Sequence, residues 1–130
     1  MPAWPEGAEA GLRRAFRVLF AVALVLVFVG SVLKIAVGPE FRFSDKVQHA
    51  VAFFLLAALA QLGYAQRGLA ARLMLALLGY GLFIELVQAL LPWREFSLLD
   101  WAADGLGIAL CAALAHRLRE RRAARGAVPP

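Results

Sequence analysis

Four polar side chains lie in apolar surroundings on either side of a short turn, within residues 85–104. Glu85 and Gln88 precede the turn at i, i+3 spacing, which places them on one face of a helix. Asp100 and Asp104 follow the turn at i, i+4 spacing, again on one face. A carboxylate in an apolar span costs roughly 2–4 kcal/mol, so these acids need cations, hydrogen-bond donors or water. Such a group could form ion pairs, hold a hard cation, transfer protons or bind a polar ligand.

Other charged residues stand at comparable places in the chain. Asp45, Lys46 and His49 are at the start of an earlier apolar run, and Arg94 and Glu95 are in the turn itself. The sequence has no GxSxG or HExxH motif, so no nucleophile or zinc-protease site is predicted. We therefore predict no catalytic residue, no metal ligand set and no cofactor.

The composition indicates that these residues sit in a membrane protein. The chain has 130 residues, of which 62% are hydrophobic, and its mean hydropathy is +0.72. Its apolar runs are apolar on all sides and are each about 20 residues long, enough to cross a bilayer. We predict an all-α polytopic membrane protein, a bundle of four transmembrane helices. The runs cover about 18–37, 45–64, 69–91 and 98–118.

The flanking segments and basic residues predict the topology. We expect a loose tail over residues 1–12, a membrane domain over 13–118 and a basic tail over 119–130. Most Lys and Arg residues flank the N-terminal end, the second loop or the C-terminal end. The positive-inside rule then puts both termini in the cytoplasm of a multi-pass bacterial inner-membrane protein. The first apolar run is too long for a signal peptide, so it is expected to be retained.

The net charge of +5 is explained by this topology. The arginines border apolar runs and do not form a face with interleaved aromatics, so we predict no nucleic-acid partner. The single cysteine, Cys111, excludes an internal disulfide and is given no role.

Helix-start signals refine the placement of the polar residues. Asp45 is expected to cap the second helix, with Gln48 completing a capping box, and Ser97 is expected to cap the fourth. The short turn makes the third and fourth helices antiparallel neighbours. The polar residues should therefore meet at one depth in the outer leaflet. His116 falls at the opposite end of the fourth helix, about 30 Å away, too far to share a metal with His49.

The combined pattern resembles the VanZ-like family of small bacterial membrane proteins. The resemblance rests on Asp45-Lys46-Val47-Gln48-His49 at the start of one helix, on Glu85-Leu86-Val87-Gln88 near the end of the next, and on Pro92, Arg94, Asp100 and Gly107. Asp104 stands where the family usually has Asn. The family is named for a protein associated with resistance to the glycopeptide antibiotic teicoplanin, so the resemblance implies an envelope function.

Three readings of the polar residues follow. They could tie helices together, with Asp45 and Asp100 as caps and buried hydrogen bonds worth about 0.6–2 kcal/mol each. They could form a site for a lipid or cell-wall-precursor head group, in which Lys46 and Arg94 hold phosphate. An enzyme using His49 with a carboxylate, or a hard cation, is less favoured. We predict the head-group site, with membrane lipids or lipid-linked precursors as partners and homo-oligomerisation left open. Its residues are Asp45, Lys46, His49, Glu85, Gln88, Arg94, Asp100 and Asp104.

Overall fold

The computed structural model describes residues 6–33 and 41–126, and this part of the chain is helical apart from short connections. All four helices are long and apolar enough to cross a membrane, which confirms the all-α class. The helices are α1 (Glu6–Val32), α2 (Phe41–Gly63), α3 (Arg67–Gln88) and α4 (Leu98–Gly126).

Two segments expected to be tails are helical instead. Helix α1 already begins at Glu6, where a loose tail was predicted, and Glu9 pairs with Arg13 at 4.0 Å across one turn. Helix α4 continues to Gly126 through most of the predicted basic tail, past a His116–Glu120 contact of 3.1 Å. Alanine and arginine have high helix propensity, and these i, i+4 pairs add a few tenths of a kcal/mol, so the helices extend beyond their apolar parts.

The start of α2 also differs from the prediction. The helix begins at Phe41, so Asp45 lies within the helix and is not its cap. Gln48 Nε2 donates to Ser44 Oγ at 3.1 Å, one turn back, and the predicted capping box is not formed. The predicted end of the first helix near residue 37 and the Gly38-Pro39 break lie outside the described residues.

The closest packing in the bundle is between α2 and α4, which run parallel. A Cβ atom on Gly107 would overlap the Ala50 carbonyl oxygen and lie 2.9 Å from Phe54 N, so only glycine permits this approach. The sequence-based argument considered only α3 as the neighbour of α4, because these two are joined by a short turn. They do touch, and Trp101 Nε1 donates to the Leu78 carbonyl at 3.0 Å.

Helix α1 is attached to α2 and α3 by polar contacts at Arg17 and Leu24. Arg17 Nε donates to the Gly63 carbonyl at the end of α2 at 2.8 Å, and its guanidinium lies 4.9 Å from the centre of the Tyr64 ring. The Tyr80 hydroxyl of α3 donates to the Leu24 carbonyl at 2.6 Å. These contacts make α1 antiparallel to α2 and parallel to α3.

The bundle is apolar outside as well as inside. Its core contains fully enclosed side chains such as Phe53, Leu56 and Ile84. Its surface exposes large side chains on every helix, including Leu26 at 64% and Leu75 at 72%. A soluble protein rarely exposes so much contiguous apolar surface, whereas a lipid environment favours it.

Candidate functional site

A salt bridge and a histidine–carboxylate hydrogen bond join α2 and α4 at the end of the bundle that contains the α3–α4 turn. Lys46 Nζ lies 2.8 Å from Asp100 Oδ1, and His49 Nδ1 lies 2.8 Å from Asp104 Oδ1. Helices α2 and α4 are parallel and closely packed. Lys46 and His49, three residues apart on α2, therefore face Asp100 and Asp104, four residues apart on α4. The structure thus brings these four residues together at one end of the bundle, and their depth in a membrane stays a prediction.

The contacts of Glu85 bring α3 into the same group. Its Oε2 accepts a hydrogen bond from the Ser97 backbone N–H at 2.8 Å, just before α4 begins. Ser97 Oγ accepts in turn from the Asp100 N–H at 3.2 Å, which confirms Ser97 as the N-cap. We call Asp45, Lys46, His49, Glu85, Asp100 and Asp104 the polar cluster.

The two innermost acids are fully enclosed. Glu85 and Asp104 are both 0% exposed. Within the described residues, Glu85 Oε1 and Asp104 Oδ2 have no hydrogen-bond partner. Asp104 Oδ2 faces Gly81 of α3, where an added Cβ would lie 2.5 Å away. An unsatisfied buried carboxylate oxygen is costly, so these oxygens require an explanation beyond packing.

A polar cavity of about 530 Å³ opens beside the cluster, between the first turns of α2 and the α3–α4 turn. Arg94 is half-buried in its wall, and its side chain forms no hydrogen bond or ion pair with the described residues. Gln88, which also lines the cavity, is buried. Its Nε2 donates to the Ser31 carbonyl of α1 at 3.0 Å, and this bond holds the Gln88 side chain in place. The cavity is lined by Asp45, Lys46, Gln88, Pro92, Trp93, Arg94, Glu95, Phe96, Ser97 and Asp100.

The structure divides the eight predicted site residues into two layers. The residues that line the cavity are Asp45, Lys46, Gln88, Arg94 and Asp100. Behind this layer lie His49, whose side chain is 11% exposed, and the enclosed Glu85 and Asp104. These three residues do not line the cavity, but His49 contacts the lining layer because one of its ring nitrogens lies within 4.8 Å of ligand atoms of Asp45 and Asp100. Their ligand-binding role stays a prediction.

Sequence reasoning did not include the aromatic side chains of the turn in the site. Trp93 and Phe96 line the cavity. Trp93 Nε1 also donates to the Val32 carbonyl at 3.2 Å, which ties the turn to the end of α1. The enrichment of Trp at membrane interfaces was an available signal for this residue.

The cluster also brings together atoms that could coordinate a cation. One potential ligand atom from each of Asp45, His49 and Asp100 lies within 4.8 Å of the other two. The neighbouring cavity provides space and cationic side chains for an anionic group. The arrangement can therefore bind a metal ion, a phosphate, or both.

No protein-family model, curated protein or solved structure matches this chain in the comparisons. Membership of the VanZ-like family, inferred from the motif residues, therefore stays a prediction.

Proposed function

We propose that this chain is a membrane protein that binds the phosphate-bearing head group of a lipid or lipid-linked cell-wall precursor in the polar cavity. The observation that carries the proposal is Arg94, a half-buried guanidinium in the cavity wall with no acidic partner in the described structure. Arginine suits this task because its planar guanidinium donates two parallel hydrogen bonds to a phosphate.

The surroundings of the cavity favour an amphiphilic ligand over a free anion. Large apolar side chains are exposed around the turn. They are Leu90 at 83%, Trp93 at 46%, Phe96 at 42%, Leu98 at 62% and Leu99 at 66%. An apolar rim beside a polar cavity would accommodate the chain and the head group of a lipid at the same time.

The other lining residues have distinct roles in this proposal. Lys46 is held by Asp100 and can offer its remaining ammonium protons to a phosphate. Asp45 and Glu95 are available to accept hydrogen bonds from head-group hydroxyl or amino groups. Glu85 fixes the entry of α4, and Asp104 fixes His49, so both maintain the cavity from behind.

The proposal includes a topology and a cellular consequence. With the basic flanks in the cytoplasm, the cavity opens in the outer leaflet of a bacterial inner membrane. Cell-wall precursors are presented on that side. Because the chain carries a VanZ-like motif, we expect that a loss of head-group binding would alter the susceptibility of the cell to glycopeptide antibiotics.

Native mass spectrometry of the protein in a mild detergent tests the proposal. Wild type should retain an anionic phospholipid or a polyprenyl phosphate. Arg94→Gln should bind this lipid about 10- to 100-fold more weakly, because it loses charge-assisted hydrogen bonds worth about 1.5–3 kcal/mol. Arg72→Gln is the matched control, because Arg72 is an exposed arginine at the other end of α3. Phosphatidylglycerol, undecaprenyl phosphate and phosphatidylcholine are the added probes.

The alternative is that the polar cluster only ties helices together. It predicts the same retained lipids in wild type, Arg94→Gln and Arg72→Gln, with any effect confined to thermal stability. Such a result would refute the head-group site. Binding of phosphatidylcholine equal to that of the anionic probes would also contradict it.

A further inference from the structure

Carboxylates outnumber cations among the described residues of the cavity wall. In this part of the chain the carboxylates of Asp45, Glu95 and Asp100 line the cavity, together with the cations Lys46 and Arg94. Glu85 and Asp104 add two enclosed acids behind the wall. A phosphate would bring further negative charge into this region. Head-group binding here would be strongly favoured by an additional cation.

The position for such a cation is between the potential ligand atoms of Asp45, His49 and Asp100. Asp45 and His49 stand one turn apart on α2, and Asp100 comes from the first turn of α4. Their potential ligand atoms lie within 4.8 Å of one another. Around a tetrahedral ion with bonds of about 2.0–2.2 Å, ligand atoms are about 3.3–3.6 Å apart, so side-chain rotations that move these atoms by about 1 Å would close the site.

His49 also has a carboxylate partner of the kind that supports metal-binding histidines. Its Nδ1 is 2.8 Å from Oδ1 of the fully enclosed Asp104. A metal-binding histidine usually donates its other ring N–H to a carboxylate in this manner, which fixes the tautomer and raises the basicity of the free nitrogen. With Nδ1 engaged, Nε2 is the nitrogen left for an ion.

An independent observation concerns Glu85. Its Oε1 is buried without a hydrogen-bond partner in the described structure. Glu85 is also close enough to His49, Asp100 and Asp104 to interact with all three electrostatically. A buried carboxylate oxygen without a partner is costly, and a divalent ion near it would supply one.

We propose that Asp45, His49 and Asp100 bind a divalent first-row metal ion at the floor of the cavity, with Asp104 as the positioning residue for His49. One imidazole nitrogen with two carboxylates fits Mn²⁺ or Zn²⁺ better than the all-oxygen ligand sets of Mg²⁺ and Ca²⁺. If the proposed head-group site is correct, the ion completes it by bridging to the phosphate opposite Arg94. Lys46 competes with the ion, since its Nζ already lies 2.8 Å from Asp100 Oδ1.

Titration of the metal-stripped, full-length protein with Zn²⁺ and Mn²⁺ tests the site, with bound metal measured by elemental analysis after dialysis. Wild type should bind one ion per chain, and Asp45→Asn and His49→Ala should each weaken binding at least 10-fold. Asp104→Asn should weaken it about 10- to 100-fold, as expected for loss of a carboxylate that supports a ligand. Lys46→Met should tighten binding, an outcome that a merely structural role for Lys46 would not produce.

His116→Ala is the control for adventitious metal binding. His116 is exposed and lies 3.1 Å from Glu120 at the far end of α4, so it is a second histidine–carboxylate pair outside the cluster. The site is refuted if wild type binds no metal, or if Asp45→Asn retains full affinity. Asp45 is only half-buried, so its variant remains informative even where His49→Ala fails to fold.

The two proposals can fail separately. Retention of an anionic lipid by protein that binds no metal would overturn the metal site alone. Metal binding that depends on His49, without any retained lipid, would overturn the head-group site alone. Lipid retention that is lost on chelation and in His49→Ala, but not in His116→Ala, would support the bridging ion.

Discussion

Replacing Gly107 with alanine should separate the two helices that hold the site. An added Cβ would overlap the Ala50 carbonyl oxygen and lie 2.9 Å from Phe54 N, and both are backbone atoms of α2 that cannot rotate away. The helices would therefore have to move apart. Asp104 is one turn from Gly107, and His49 is next to Ala50, so the 2.8 Å contact between them lies where the movement occurs.

The magnitude follows from two opposing effects. Alanine is favoured over glycine in a helix interior by about 0.5–1 kcal/mol. Overpacking of a well-packed interface costs about 1–3 kcal/mol, and contact with backbone puts this substitution at the upper end. We expect Gly107→Ala to lower the free energy of unfolding by about 2–2.5 kcal/mol.

The matched control is Gly105→Ala on the same helix. A Cβ there would meet only Leu78 Cδ1 at 3.4 Å, an ordinary contact with a movable side chain. This variant should be neutral or more stable than wild type. Unfolding in mixed micelles with increasing dodecyl sulfate, followed by tryptophan fluorescence, gives both values. Equal stability of Gly107→Ala and Gly105→Ala would refute the α2–α4 packing described above.

Two further predictions concern single contacts. Gly81→Ala would place a Cβ 2.5 Å from Asp104 Oδ2, so it should reduce Zn²⁺ affinity and lower the unfolding temperature. Gly79 has open space around it, so Gly79→Ala should do neither. An unchanged Zn²⁺ affinity of Gly81→Ala would contradict this prediction. Tyr80→Phe removes a hydrogen bond of 2.6 Å to a carbonyl of α1 and should cost about 0.5–1.5 kcal/mol in the micelle assay without changing lipid retention. Tyr64→Phe keeps its ring contacts and serves as the comparison; equal stability of the two variants would show that the bond contributes nothing.

The sequence by itself was sufficient for the all-helical class and for the expectation that the polar residues gather at one end of the bundle. Apolar runs of about 20 residues predict four helices because only a helix satisfies its backbone hydrogen bonds within a single segment of that length. The cost of placing carboxylates in such runs predicts that Glu85, Asp100 and Asp104 find polar partners. Alternating helix directions then bring these residues to the same end as Lys46 and His49.

Helix ends were predicted less well, because hydropathy reports the apolar part of a helix and not its whole length. Helix α1 extends to Glu6 and α4 to Gly126 on segments that are polar but rich in helix-forming residues. Asp45 was assigned as a cap because it stands where the apolar run begins. The helix starts earlier, at Phe41, which leaves the Asp45 side chain at the cavity wall.

Only the tertiary structure decided which polar residues pair and which face the cavity. Chain connectivity suggests α3 as the neighbour of α4, but the close approach allowed by Gly107 makes α2 the main partner. That approach selects the pairs Lys46–Asp100 and His49–Asp104, and it encloses Asp104 while Arg94 remains in the cavity wall. Spacing along one helix fixes which side chains share a face. The identity of the facing helix depends on packing between segments distant in sequence, which no local pattern encodes.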